Sequence, residues 1–177
     1  MKKCLIIVDY QNDFVTGNLG FEGAKALDKR IAEKAALYRQ NGDDVIFTLD
    51  THDENYLDTR EGRYLPVSHC LKGTDGHDLY GTVGKEASPD DKVFAKNTFG
   101  SDELFDYLRE NPYSSIELAG VVTNICVISN AVLAKTAQPE TDMTVDALCV
   151  ASNDEKLHDA ALDVMESLHI DIKNRKD

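Results

Sequence analysis

The sequence predicts a three-layer α/β/α fold built on a six-stranded parallel sheet, and two observations carry that expectation. Short β-rich runs alternate with stretches of helical periodicity along the 177 residues, which is the pattern of βα units wound into one sheet. In addition, an acid, a lysine and a thiol, Asp9, Lys96 and Cys126, each fall where such a run ends or just beyond it. The carboxyl ends of parallel strands share one edge of the sheet, and ligands bind there where the strand order reverses. Residues far apart in the chain would therefore meet in one crevice.

The elements follow in order. Residues 4–9 read as a strand, closed by Asp9 after Cys4-Leu5-Ile6-Ile7-Val8, and the polar stretch 12–23 reads as a loop. Residues 24–41 carry Leu27, Ile31, Ala35 and Tyr38 on one stripe, an amphipathic helix stopped by Asn41-Gly42. A second strand spans 44–50. The region 51–91 is long, polar and aperiodic, and a loop of that size in a compact domain is usually functional. The alternation resumes with strand 92–96, helix 101–110, strand 115–119, helix 124–136 and strand 143–148. A helix over 153–168 follows, with Asn153 as its N-cap and Lys156 rather than Glu at the reciprocal position. The last strand is 169–172. With no repeat, low-complexity tract or linker, residues 1–177 read as one domain.

Composition narrows the function. The net charge is −13, from 32 acidic and 19 basic side chains, so the surface repels phosphate backbones and anionic membranes. Neither a nucleic acid nor a membrane is expected as a partner. There is no apolar run near a membrane-spanning length, and the apolar stretch after Lys2-Lys3 is too short for a signal peptide. The expected location is the cytoplasm. Cys4, Cys70, Cys126 and Cys149 form no CxxC pair, which fits reduced thiols.

Cys126 is the candidate nucleophile. It lies two residues after Asn124, a potential cap, and a thiol in a first helical turn feels unpaired N–H groups that favour the thiolate. The same groups could hold an oxyanion. Cys4 and Cys149 sit in apolar strands and read as packing residues; Cys70 adjoins a candidate metal ligand. Asp9 near the thiol could take its proton and return it to a leaving amine. Lys96 beside both would supply a fixed positive charge. Asp50 and His52, two apart at a strand's end, can point the same way. With Glu61 and His69 they make a mixed oxygen and nitrogen set suited to one divalent ion, zinc, iron or manganese rather than calcium, and the ligand set does not choose among the three. Asp53, Glu54 and Asp58 are rivals to Glu61. His77, His158 and His169 read as surface or helix residues.

At these residues the chain resembles the nicotinamidase/pyrazinamidase branch of the isochorismatase-like cysteine hydrolases, along nearly its whole length. The resemblance rests on Val8 to Phe14, Asp50-Thr51-His52, Pro66 to Thr74, Phe94 to Phe99 and Gly120 to Val127. It implies an isochorismatase-like, Rossmann-like sheet and an Asp9–Lys96–Cys126 triad. A metal would be held by Asp50, His52 and His69, with Glu61 as fourth ligand. The implied reaction hydrolyses nicotinamide to nicotinate and ammonia through a Cys126 thioester, a step in pyridine nucleotide salvage. It further implies a cis Val121–Val122 peptide that aims the N–H groups of Val122 and Cys126 at the oxyanion, and a homo-oligomer. Asn124 stands where many members have Asp. The chain has no tryptophan, so Phe14, Tyr64 or Phe99 would have to stack on the substrate ring. The alternatives are a related cysteine hydrolase for another small amide, ureide or carbamoyl compound, and a non-catalytic metal- or thiol-sensing protein.

Overall fold

A computed structural model, which describes residues 1–175, contains six strands: β1 (Lys3–Val8), β2 (Asp44–Asp50), β3 (Lys92–Lys96), β4 (Ser115–Val121), β5 (Asp142–Ala151) and β6 (Asp171–Lys173). They form one all-parallel sheet in the order β3-β2-β1-β4-β5-β6. The chain reverses its direction of growth between β1 and β4, so the switch point lies between Asp9 and the segment leading to Cys126.

β1 shows why the sheet is central. Cys4, Ile6 and Val8 pack on one face with residues of α6 (Asp102–Glu110), α7 (Ile128–Ala137) and α8 (Glu155–Ser167). Leu5 and Ile7 pack on the other, against α1 (Asn12–Val15), α2 (Glu22–Lys25), α3 (Asp28–Gln40) and α5 (Gly81–Lys85). All five side chains are buried, as expected of a parallel strand covered on both faces. Each buried aliphatic contributes about 1.5–3 kcal/mol, which makes β1 the strand the fold can least afford to shift. No helix among the described residues is long and apolar enough to cross a membrane.

Several boundaries differ from expectation for local reasons. The stretch 24–41 breaks after Lys25: Leu27 caps α3, and Ile31 and Ala35 carry its stripe into the core. The supposed loop 12–23 contains α1, and the region 51–91 contains α4 (Arg60–Tyr64), α5 and two 3₁₀ turns. Helices of four or five residues are too short to show a period, and α4 is held by its cap, Thr59 Oγ1 accepting from the Gly62 N–H at 3.0 Å. Asp154 rather than Asn153 caps α8, accepting from the Leu157 N–H at 3.0 Å. β4 and β5 run longer than expected, and β6 starts at Asp171 rather than at residue 169. Asn124 caps nothing: Thr123–Val127 form a π-helical turn that feeds α7, and Asn124 Oδ1 accepts from Ser152 Oγ at 2.6 Å.

The contact that brings β1 and β4 together at the switch point depends on Gly120. It pairs with Val8 at a φ of +115°, and a Cβ there would lie 2.1 Å from the Val8 carbonyl oxygen. Backbone cannot move aside as a side-chain tip can. Gly120→Ala should therefore cost about 2–4 kcal/mol, read as a lowered urea midpoint; an unshifted midpoint would contradict this account of the strand contact.

Candidate active site and metal centre

Three strand ends build one site. Asp9, immediately after β1, is fully buried and adopts a φ of +47°, which turns the chain away from the sheet after its N–H has bonded the Thr48 carbonyl at 3.1 Å. Its Oδ1 accepts from Thr48 Oγ1 at 2.6 Å. Its Oδ2 lies 2.6 Å from Lys96 Nζ and takes no hydrogen bond from any other group among the described residues. Lys96 ends β3, two strands away from β1. Its long stem spans that distance, and Nζ also donates to the Thr98 carbonyl at 2.9 Å and to Cys126 Sγ at 3.7 Å.

Cys126 is buried inside the π-helical turn after β4, just past the cis Val121–Val122 peptide. Burial raises its thiol well above the usual range, and the Asp9 carboxylate raises it further, while Lys96 opposes both. The direction is opposite to that expected from a helix terminus, because the site is dry and holds acids. A thiol that rests protonated needs a base, and Asp9, the carboxylate in hydrogen-bond reach of it, is placed to serve as one. Burial also raises Asp9, against the pull of Lys96. Lys96 is held above the ordinary lysine range by Asp9, Cys126 and Asp50 despite its burial.

Asp50 joins this triad to a second cluster. Oδ1 lies 3.5 Å from Lys96 Nζ, while Oδ2 lies 3.0 Å from His52 Nε2 and 3.2 Å from His69 Nε2. Glu61 Oε1 completes the group at 3.9 and 3.8 Å from the two rings. One donor atom from each of Asp50, His52, Glu61 and His69 lies within 4.8 Å of all the others. His69 Nδ1 pairs with the Val67 carbonyl at 2.7 Å, which turns Nε2 toward the cluster. Packing fixes the rings: Tyr56 lies 4.6 Å from His52 and 4.9 Å from His69, centroid to centroid. Four convergent Lewis bases repel unless a proton or cation sits among them, and this donor set suits a first-row divalent ion. Asp53, Glu54 and Asp58 are not in the group.

Gln11 was not singled out in the sequence, yet it sets Asp50. Fully buried, it donates from Nε2 to the Asp50 and His77 carbonyls at 2.9 and 2.8 Å, and Oε1 accepts from the Asp50 N–H at 2.8 Å. It thus extends the backbone pairing past the end of β2. His158 lies in α8, in line with the helix reading, and His77 ends a 3₁₀ turn; both are half-buried, with His77 Nε2 paired to Thr51 Oγ1 at 2.8 Å and His158 Nδ1 to Thr123 Oγ1 at 2.9 Å. His169 is exposed. Cys4, Cys70 and Cys149 are buried and free, with burial raising each thiol.

A cavity of about 180 Å³ opens beside Cys126. Phe14 and Phe99 line it, together with the unforeseen Leu19, Phe21, Leu65 and Ile125, the metal-cluster residues Asp50, Glu61 and His69, and Asn153 at the mouth. Tyr64 departs from expectation. It is 78% exposed, lies under the Arg60 guanidinium at 5.3 Å and lines a neighbouring outer groove instead. The short α4 brings Glu61 to the border between the two spaces, and Tyr64, one turn later, reaches only the groove.

The chain matches the Isochorismatase domain family over residues 3–173. It is 37% identical to an uncharacterized isochorismatase family protein of Bacillus subtilis, over 75% of this chain and 78% of that one. Among solved structures, a nicotinamidase/pyrazinamidase from Bacillus subtilis superposes with a TM-score of 0.86 at 29% identity, covering 97% of this chain and 99% of that one. A pyrazinamidase of Pyrococcus horikoshii in complex with zinc superposes with a TM-score of 0.84 at 26% identity, covering 97% and 98%.

The donor cluster makes a direct expectation. Protein loaded with a divalent ion and desalted should retain about one ion per chain, by elemental analysis, and the His52→Ala/His69→Ala variant should lose it. Full retention by that variant would place the ion elsewhere.

Proposed function

The chain belongs to the isochorismatase family, in its nicotinamidase branch, and from that premise we propose that it is the amidohydrolase that converts nicotinamide to nicotinate and ammonia. The observation that supports this most is the closed arrangement of thiol, carboxylate and ammonium beside a largely apolar cavity sized for one ring, with three of the four cluster donors, Asp50, Glu61 and His69, on its wall.

In this reading the substrate ring lies between Phe14 and Phe99, and its carboxamide carbon faces Cys126 Sγ. Asp9 Oδ2 takes the thiol proton as sulfur attacks the carbonyl carbon. The N–H groups of Val122 and Cys126 receive the oxyanion. Asp9 then returns the proton to the amide nitrogen, the C–N bond breaks, ammonia leaves and a thioester remains on Cys126. Asp9 next takes a proton from water as its oxygen attacks the thioester carbon. The C–S bond then breaks, Asp9 gives the proton to sulfur, and the free thiol and the pyridine carboxylic acid, which ionises to nicotinate, are formed. Lys96 keeps Asp9 ionised at the start of each half-reaction and stabilises negative charge as it develops on sulfur.

Asp50, His52, Glu61 and His69 would hold one divalent ion, with zinc the first expectation because the zinc-bound relative shares the fold. Such an ion supplies a Lewis-acid centre for a substrate lone pair. The same donor cluster favours nicotinamide over ureides and carbamoyl compounds, because a ring nitrogen gives the ion something to hold. A place in pyridine nucleotide salvage, a cytoplasmic location and a homo-oligomeric state belong to the same proposal.

Cys126→Ala should lower ammonia release from nicotinamide by about 10³-fold or more with an unchanged melting temperature. Intact-mass analysis of the unaltered protein during turnover should show the acyl adduct on Cys126. Ammonia release that persists in the variant would remove Cys126 from the mechanism, and inert unaltered protein with bound metal would remove nicotinamide as substrate.

A further inference from the structure

Two spaces meet at the candidate site, and one side chain divides them. The inner cavity of about 180 Å³ contains Cys126. The outer groove, about 870 Å³, runs along Thr51, Tyr56, Arg60 and Tyr64. Only Glu61 and Phe99 line both. Glu61 belongs to the donor cluster and is committed there. Phe99 makes no such commitment. It is 44% exposed and stands in the loop between β3 and α6.

That loop is fixed by Asn130. Its fully buried amide donates to the Phe99 carbonyl at 3.0 Å and to the Cys126 carbonyl at 2.8 Å, and it accepts from the Ser101 N–H at 3.0 Å. One side chain therefore ties the aromatic wall to the turn that carries the nucleophile. Lys96 pins the same loop from the other end through the Thr98 carbonyl. The Phe99 backbone is thereby held in register with Sγ, although its ring is half in solvent.

We propose that Phe99 is the specificity-determining residue that limits the site to single-ring carboxamides, that Asn130 is its positioning residue, and that the outer groove is a latent subsite for the second ring of a fused bicyclic amide. The inference rests on the amidohydrolase reading for its substrates, but the partition itself is testable without turnover. Tyr64, exposed and stacked with the Arg60 guanidinium, gives the groove an aromatic border for such a ring.

Cys126 can be alkylated by iodoacetamide and by the bulkier N-(1-naphthyl)iodoacetamide. In each case a C–S bond forms, iodide leaves and the thiol proton passes to solvent. Rates are followed by intact mass, with Cys126→Ala as the control for the other thiols. Phe99→Ala should raise the ratio of bulky to small rates about tenfold, with the small-probe rate nearly unchanged. Asn130→Ser, checked for its melting temperature, should shift the ratio the same way by a smaller factor. In parallel, Phe99→Ala should gain hydrolysis of quinoline-3-carboxamide to quinoline-3-carboxylate and ammonia relative to nicotinamide. A ratio that does not move in Phe99→Ala, including the case in which both probes accelerate alike, overturns the partition. Loss of stability in Asn130→Ser without a change in ratio reduces Asn130 to a structural residue. A shifted ratio with no amide hydrolysed by any form would uphold the partition and fail the amidohydrolase reading.

Discussion

The buried ion pair between Asp9 and Lys96 is the constraint on which the rest of this structure depends. Both side chains are almost wholly removed from water, 2.6 Å apart. Removing two charges from water costs several kcal/mol per ion, and their attraction rarely returns more than that. Such a pair is poor evidence of stability, so its retention needs another explanation. The geometry supplies one: Thr48 bonds one Asp9 oxygen, the other meets the Lys96 ammonium alone, and that ammonium leans on the thiol as well. A pair kept for stability alone would have no need of a thiol beside it.

Placing that pair requires backbone that an ordinary strand end does not provide. Asp9 leaves β1 at a positive φ, and Gly120 approaches Val8 more closely than any side chain allows. The two departures occur on neighbouring strands at the switch point, on either side of the crevice. Local cost has been accepted where the sheet presents its chemistry, while β1 beneath it is packed on both faces by aliphatic side chains. The rigid sheet sets the distances, and the turns set the directions in which the groups point.

This division explains what was legible in the sequence. Asp9, Lys96 and Asp50 end apolar runs, and parallel topology alone sends them to one edge; the structure does bring them together. The six-stranded sheet could be read for the same reason. His69 and Glu61 lie in the aperiodic region, where residue type alone marks them as ligands, since no period specifies the path from 51 to 91; the Pro66 to Thr74 motif supports His69, and no motif contains Glu61. Leu19 and Phe21 carry no signal in the sequence, and Asn153 reads there only as a helix cap, because a cavity wall depends on how loops lie over the sheet, not on residue type. Tyr64 was named for being aromatic, but α4 turns it toward the outer groove. Gln11 and Asn130 were missed for a further reason. Buried amides act by pairing with backbone carbonyls, and backbone partners leave no trace in the sequence.

The cavity wall has a consequence for turnover under the proposed reaction. Its lining includes two carboxylates and mostly apolar side chains, with no arginine or lysine among the described residues that form it. Lys96 stands behind, already shared by Asp9, Asp50 and Cys126. A neutral carboxamide enters such a space losing little solvation, whereas the carboxylate formed from it would be buried without a cation of the protein to pair with. Any cation held by the donor cluster is partly spent on Asp50 and Glu61. The same walls therefore favour the uncharged reactant over the charged product, so the ionisation that follows C–N cleavage works toward release. A site lined with basic residues would bind its substrate by charge and then retain its product by the same means. Under the proposed reaction the protein's charges act on the reacting atoms, and recognition falls to the shape of the cavity and to the donor cluster on its wall.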